Sequence, residues 1–369
     1  MSSLEIKPQG DFFIVRNGSS YFKLGKREGQ ILIDMQTGQL SENELAQKYD
    51  LNLESIQKLK QIFVNLGVIG EQKKEPFNIF FIKIPLVNPD KFFHFITSKL
   101  LSYPKISSFL FWILNIWIFY GIFLLIFHFN SIISISLNNL DPFQLFLGYV
   151  TLIICVIFHE LGHGLACRYY GGQVTKLGLM LLFFSPALYC NVSSAWMFTS
   201  RKHKIFVSLA GIYVQLILLS FFLLLYKYNN NSVYLSWVIL SNIWMICINI
   251  FPFVKLDGYW TLSHATGIAN LYQKSLDRVR KMINPKSEKL TYLNNFPRKI
   301  DMFLLIYGLM SILVIIVFLL SSLLGLYHLV FKSDIPFSLK LLTLSIELII
   351  FICLFIYVLK KIYKGFCRD

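Results

Sequence analysis

Residues Thr151 to Ala166 read TLIICVIFHELGHGLA, and this stretch decides the class of the protein. Its ionisable side chains, His159, Glu160 and His163, stand in an otherwise apolar run. A helix puts residues i and i+4 on one face, so His159 and His163 are placed to grip one metal ion together. Glu160 follows directly and turns toward the same pocket, where a carboxylate handles the proton of an activated water. Ionisable groups at membrane depth are costly and are retained for function, which argues against two stray core histidines.

A second motif supplies what the helix lacks. Residues Asn249 to Gly258 read NIFPFVKLDG at the end of another apolar run. A catalytic zinc site needs three protein ligands and an open fourth position, and Asp257 is the best candidate for the third. Pro252 breaks the preceding helix, and Gly258 permits the tight backbone that aims a short carboxylate. The Asn249 amide is placed either to hold a peptide backbone or to satisfy the broken helix end at Pro252.

The pair of motifs, His-Glu-x-x-His with Asn-x-x-Pro-x-x-x-Leu-Asp-Gly, resembles the site-2 protease family of intramembrane zinc metalloproteases. Both patterns match residue for residue. Many members carry a second glycine where this chain has Tyr259, and Tyr259-Trp260 is similar to the peptide-maturation branch. The resemblance implies one Zn2+ per chain, held by His159, His163 and Asp257, with Glu160 as the catalytic base and Asn249 on substrate. It also implies that Leu177–Val192, apolar but interrupted at Ser185-Pro186, offers an edge to an extended substrate. Ser185, Pro186, Tyr189 and Asn191 are the positions concerned; the bland reading is a loop that plugs the bundle.

The 369 residues are 55% hydrophobic and 16% aromatic, with mean hydropathy +0.58, values of a membrane protein. Spanning needs about 20 apolar residues. Six segments qualify: Ile106–Phe129, Phe143–Cys167, Ile205–Tyr226, Val233–Phe251, Met302–Leu326 and Phe337–Leu359. Leu177–Val192 lies between two inward ends and reads as re-entrant. The expected fold is therefore a polytopic α-helical membrane bundle of about six spans with one re-entrant segment.

Basic residues concentrate on one side: Arg168, Lys176, Arg201, Lys202 and Lys204, then Lys255 to Lys299, then Lys360, Lys361, Lys364 and Arg368. Residues Asn130 to Pro142, by contrast, carry no Lys or Arg. The positive-inside rule gives a multi-pass protein of a bacterial-type cell membrane with both termini cytosolic. The first 75 residues are polar, with no signal segment, which agrees. His163 precedes Arg168 by five residues, so the metal is expected roughly 8 Å below the inner interface. The net charge of +15 belongs to these flanks and to anionic lipid, and no nucleic-acid partner is implied. Six scattered cysteines, Cys155, Cys167, Cys190, Cys247, Cys353 and Cys367, imply no disulfide framework.

Residues 1–75 read as a small α+β, winged-helix-like cytosolic domain. Phe12–Arg16 and Ser20–Leu24 form a hairpin around Asn17-Gly18. Helices follow at Lys26–Met35, at Glu42–Tyr49 behind a Ser41/Glu44 capping box, and at Leu53–Leu66 ahead of Gly67. The order resembles PqqD-like peptide-recognition elements, which implies capture of a leader peptide as an added strand. A generic module used for packing or dimerisation is the other reading. Residues 76–104 are a linker (extended over Phe77–Val87) and an interfacial helix at Asp90–Leu101. Residues 105–369 are the membrane domain.

The expected activity is hydrolysis of a peptide bond in a membrane-associated or ribosomally made precursor peptide near the cytosolic face. Two alternatives stand beside it: cleavage of a single-span membrane-tethered regulator such as an anti-sigma factor, and a non-proteolytic export or immunity protein. Retention of Glu160 argues against the last, since a structural zinc needs no base. Gly162, Gly164, Ala210 and Gly211 read as close helix packing. His203 reads as an interface residue, His264 as loop decoration, and Glu347 as an intramembrane carboxylate in need of a partner.

Overall fold

The computed structural model describes residues 4–9, 12–17, 20–38, 40–69, 81–134, 141–182, 185–229, 232–284 and 296–332. The expected sixth span, Phe337–Leu359, and Glu347 lie outside the described residues, as do residues 77–80 of the expected linker. Residues 1–250 and 251–369 form two compact units.

The first unit opens with an antiparallel sheet ordered β1 (Glu5–Gln9), β2 (Phe12–Asn17), β3 (Ser20–Gly25). The sequence pattern shows β2 and β3 but not β1, whose EIKPQ lacks alternation. As an edge strand it tolerates Pro8, which lies opposite Phe13. Helices α1 (Lys26–Thr37), α2 (Glu42–Lys48) and α3 (Leu53–Leu66) follow. The capping box of α2 is formed: Glu44 N–H donates to Ser41 Oγ at 3.3 Å, and Ser41 N–H donates to Glu44 Oε2 at 2.6 Å. Gly67 ends α3 at φ 76, a left-handed conformation that costs a glycine nothing. Val15, Leu32, Phe63 and Val68 form one buried cluster, with Ile31, Leu45, Ala46 and Ile56 forming a second. Buried Asn17 ties β2 to the end of α3 by donating from Nδ2 to the carbonyl of Gly67 at 2.9 Å.

The rest of this unit is the membrane part. Strand β4 (Phe81–Val87) leads into α4 (Asp90–Ser102), α5 (Pro104–Ile133) and α6 (Pro142–Tyr169). Strands β5 (Leu177–Leu182) and β6 (Ser185–Cys190), a 3-10 turn at Ser193–Met197, α7 (Arg201–Tyr228) and α8 (Val233–Ile250) complete it. Helix α6 starts on an Asp141 cap, Gln144 N–H donating to Oδ1 at 2.7 Å. Helix α8 ends just ahead of Pro252, as the sequence predicts.

Two expected segments take a more definite form here. The described part of the expected linker is strand β4, and the segment expected to be re-entrant is the hairpin β5–β6; the three pair antiparallel in the order β4-β5-β6. FIKIPLV looks like a linker because its partner lies about ninety residues away, beyond any local signal. Pro85 is tolerated because β4 is an edge. Gly178 is required: a Cβ there would lie 2.1 Å from the carbonyl oxygen of Ile84.

In the second unit, α9 (Asp257–Thr266), α10 (Leu271–Ile283) and α11 (Arg298–Lys332) pack around Tyr259, Ile268, Leu271, Leu304 and Tyr307. Gly308 brings α11 against α10, since a Cβ would meet the Ser275 carbonyl at 2.6 Å. Arg278 pairs with both carboxylate oxygens of Asp301 across the same contact.

Among the described residues, five helices are long and apolar enough to cross a membrane: α5, α6, α7, α8 and the Arg298–Val317 part of α11. The chain is a multi-pass membrane protein, and its described residues are mostly helical with two small sheets. On α5, Phe109, Trp112, Ile116, Phe119, Phe123 and Phe127 are all exposed and fall along one face, as lipid contact requires.

The amino-terminal module carries one buried carboxylate. Asp34 Oδ2 accepts from Lys48 Nζ and from Tyr49 OH, each at 2.6 Å. These bonds hold its carboxyl below the usual range, while burial and the carboxylate push the Tyr49 phenol up to about 12. A depressed carboxyl stabilises the fold above its unfolded pKa and loses that contribution as pH falls through the folded value. Asp34→Asn is therefore expected to cost about 1–2 kcal/mol at pH 7 and less near pH 3, below the ordinary carboxyl value. Hydrogen-exchange protection of α1–α3 in the full chain, compared at the two pH values, checks this; an equal loss at both would refute the linkage.

Candidate metal centre

The apolar register of α6 places His159 and His163 one turn apart, and both rings are buried, at 5% and 6% exposure. The rings cross at 82° with centroids 4.7 Å apart. Their Nε2 atoms face each other at 3.1 Å. His163 Nδ1 lies 2.7 Å from the carbonyl oxygen of Val207 on α7. That oxygen only accepts, so the proton sits on Nδ1 and leaves the Nε2 lone pair directed at His159.

Helix α7 makes the room for this pair. A Cβ on Gly211 would sit 2.5 Å from His159 Cε1 and from His163 Nε2. The sequence reading of Gly211 as helix packing is thus incomplete, because the contact is with the imidazoles themselves. Gly162 does pack helix on helix, against Val214 and the Ala210 carbonyl, whereas Gly164 admits Phe93 of α4 and Cys190 of β6.

His159 and His163 each offer a ring nitrogen in the first unit, and Asp257 offers a carboxylate oxygen in the second. Asp257 is the first residue of α9. Two imidazole nitrogens and a carboxylate oxygen are a zinc-type donor set. Tetrahedral zinc at about 2.0–2.1 Å from each nitrogen sets the two nitrogens roughly 3.3 Å apart, close to the separation present. The residues fit the metal.

Glu160 is half-buried, and its Oε2 accepts from the backbone N–H of Cys190 at 2.8 Å. The last residue of edge strand β6 therefore orients this carboxylate, a partner invisible to local reading. Asn249, in the last turn of α8, donates from Nδ2 to Gln215 Oε1 at 3.5 Å. Ser185 and Pro186 lie in β6, but their side chains fall outside the described residues. Tyr189 lies on the same strand with Lys83 Nζ 5.5 Å from its ring centroid. Asn191 holds local structure: its Oδ1 accepts from Ser193 N–H at 3.2 Å, and its N–H donates to the Lys176 carbonyl at 2.8 Å. His203 stacks on Tyr170 at 4.2 Å, and buried His264 lies in α9, not in a loop.

No family model matches the chain, and no solved structure matches it. Over 143 residues the chain is 30% identical to the "Putative peptide zinc metalloprotease protein YydH" of Bacillus subtilis (strain 168). The matching stretch is 37% of this chain and spans 56% of that curated relative.

Sequence reasoning missed the Val207 carbonyl, the Cys190 amide and Gln215, and took Gly211 for helix packing alone. Only Gln215 had a signal, as a carboxamide in the middle of an apolar span. Gly211→Ala is expected to weaken zinc binding by about tenfold or more, since the added methyl displaces both rings. Zinc retention against a graded chelator, with helix content followed by circular dichroism, checks it. Undiminished zinc affinity would show that α7 does not shape the centre.

Proposed function

We propose that this chain is an intramembrane zinc endopeptidase of the site-2 protease kind, acting on a membrane-associated or ribosomally made precursor peptide near the cytosolic face. The observation that carries the reading is the facing pair of His159 and His163 nitrogens, with Glu160 next to His159 in the chain and Asp257 as the third candidate ligand. The name of the Bacillus subtilis relative, a peptide zinc metalloprotease, supports the same reaction class.

His159 Nε2, His163 Nε2 and the Asp257 carboxylate would hold the zinc. When bound in such a site, zinc acidifies a water molecule and polarises a carbonyl. Glu160 takes the water proton and later delivers it to the leaving amine nitrogen. The Cys190 N–H bond keeps one carboxylate oxygen engaged and so fixes which oxygen handles the proton. His163 Nδ1–H, bonded to the Val207 carbonyl, fixes the orientation and tautomer of that imidazole and leaves Nε2 for the metal. The buried setting of both rings keeps bulk water away and strengthens every charge–dipole contact at the site.

Edge strand β6 is the element on which an extended substrate would add, its main-chain groups pairing with those of the strand. The amino-terminal module would capture a leader by the same mode on its β1–β2–β3 sheet. Tethering to the membrane part would raise the local concentration of precursor at the zinc. The basic inner flanks support cytosolic termini.

Glu160→Gln is the deciding variant. It is expected to keep one zinc per chain and to lower cleavage of a co-expressed precursor by about 10²–10⁴-fold. Cleavage is followed by mass spectrometry of the peptide, and chelation should silence the wild type. Full activity in Glu160→Gln, or cleavage by metal-free protein, refutes the proposal.

A further inference from the structure

The contact between α7 and α8 holds polar side chains that the metal centre does not use. Gln215 is fully buried, at 0% exposure. Its Oε1 accepts from Asn249, while its Nε2 has no hydrogen-bond partner among the described residues. Exchanging the amide oxygen and nitrogen alters nothing in this count: one end faces Asn249 and the other is unmet. Asn242, two turns before Asn249 on α8, is also at 0% exposure, with neither amide atom partnered among the described residues. Unmet amides inside a membrane span are costly, so something meets them in the working protein.

Position indicates what. Gln215 follows Gly211 by four residues and so lies on the same face of α7, one turn farther along. Gly211 is the residue pressed against both imidazoles. The carboxamide of Gln215 therefore sits about 6 Å along the helix axis from the level of the ring contact. An extended peptide crossing the centre presents a carbonyl and an N–H at about every 3.3 Å, so its groups one or two residues from the scissile bond reach that level. A carboxamide offers a donor and an acceptor, which suits either main-chain group.

We propose that Gln215, together with Asn249, binds the main chain of an extended peptide substrate beside the zinc. The inference rests on the endopeptidase reading above and deepens it. Holding the substrate by its backbone at this point gives affinity without demanding a particular side chain there. Selection of the substrate then falls to other parts of the molecule.

The test uses the zinc-loaded full chain in detergent and two probes. Acetohydroxamate engages the metal alone; a fluorescent tripeptide hydroxamate engages the metal and carries an extended backbone. Gln215→Met keeps the length and loses all hydrogen bonding, whereas Gln215→Glu keeps the shape and loses the donor. Both variants are expected to bind zinc and acetohydroxamate as the wild type does, and the tripeptide probe about tenfold more weakly in fluorescence polarisation. Unchanged tripeptide affinity in both variants overturns the inference. So does an equal loss for the two probes, or loss of zinc itself, each of which makes Gln215 structural. A wild type that binds acetohydroxamate but gains nothing from the tripeptide also overturns it, and leaves the amides to water. Purified wild type that takes up no zinc and ignores both probes brings down the endopeptidase reading instead.

Discussion

Two imidazole nitrogens held 3.1 Å apart in a buried stretch of helix set the terms for the surrounding structure. With the His163 proton committed to the Val207 carbonyl, its other nitrogen directs a lone pair at its neighbour, an arrangement that a shared cation relieves. Space for two rings at this point exists only because α7 has no side chain at Gly211. A metal centre inside a bilayer thus depends as much on what is absent from the facing helix as on the ligands. The carboxyl-terminal end of α6 is where such a centre would sit, since water, peptide and metal all have to reach it.

That end of α6 is tied down from several directions within the first unit. Asp90, at the start of α4, accepts from the Val174 amide at 2.9 Å and lies 3.7 Å from Arg168. Cys167 meets Ser194 of the 3-10 turn at 3.2 Å, and Ser194 in turn bonds both the amide and the carbonyl of Gln173. Phe93 fills the space left by Gly164, and the Cys190 amide holds Glu160. Helix, sheet and turn therefore move as one support. A catalytic group needs this rigidity if its geometry is to hold within a fraction of an ångström.

Much of this was legible in the chain. Apolar runs announced the spans, because a helix in lipid must be apolar over its length and charges must collect at its ends. The Ser41/Glu44 box and Gly67 marked helix ends because capping is local chemistry. The two motifs marked the candidate ligands, and spacing alone puts His159 and His163 on one face. Strand β4 was not legible, as its partner is β5, far along the chain. Strand β1 escaped because five residues with a proline at an edge carry no periodicity. Gly211 was noticed, but only as a small residue in a span.

By itself, then, the order of residues determined the helical periodicity, the candidate ligands and the span ends at which charge collects. These follow from neighbours within a turn or two of one another, or from simple counts. Tertiary structure alone decided which backbone groups aim the candidate site residues: the Val207 carbonyl on His163, the Cys190 amide on Glu160, the bare Cα of Gly211 against both rings. A carbonyl or an amide is the same in every residue, so no letter in a sequence marks the one that will be used. Only the packing of α6 against α7 and β6 selects it.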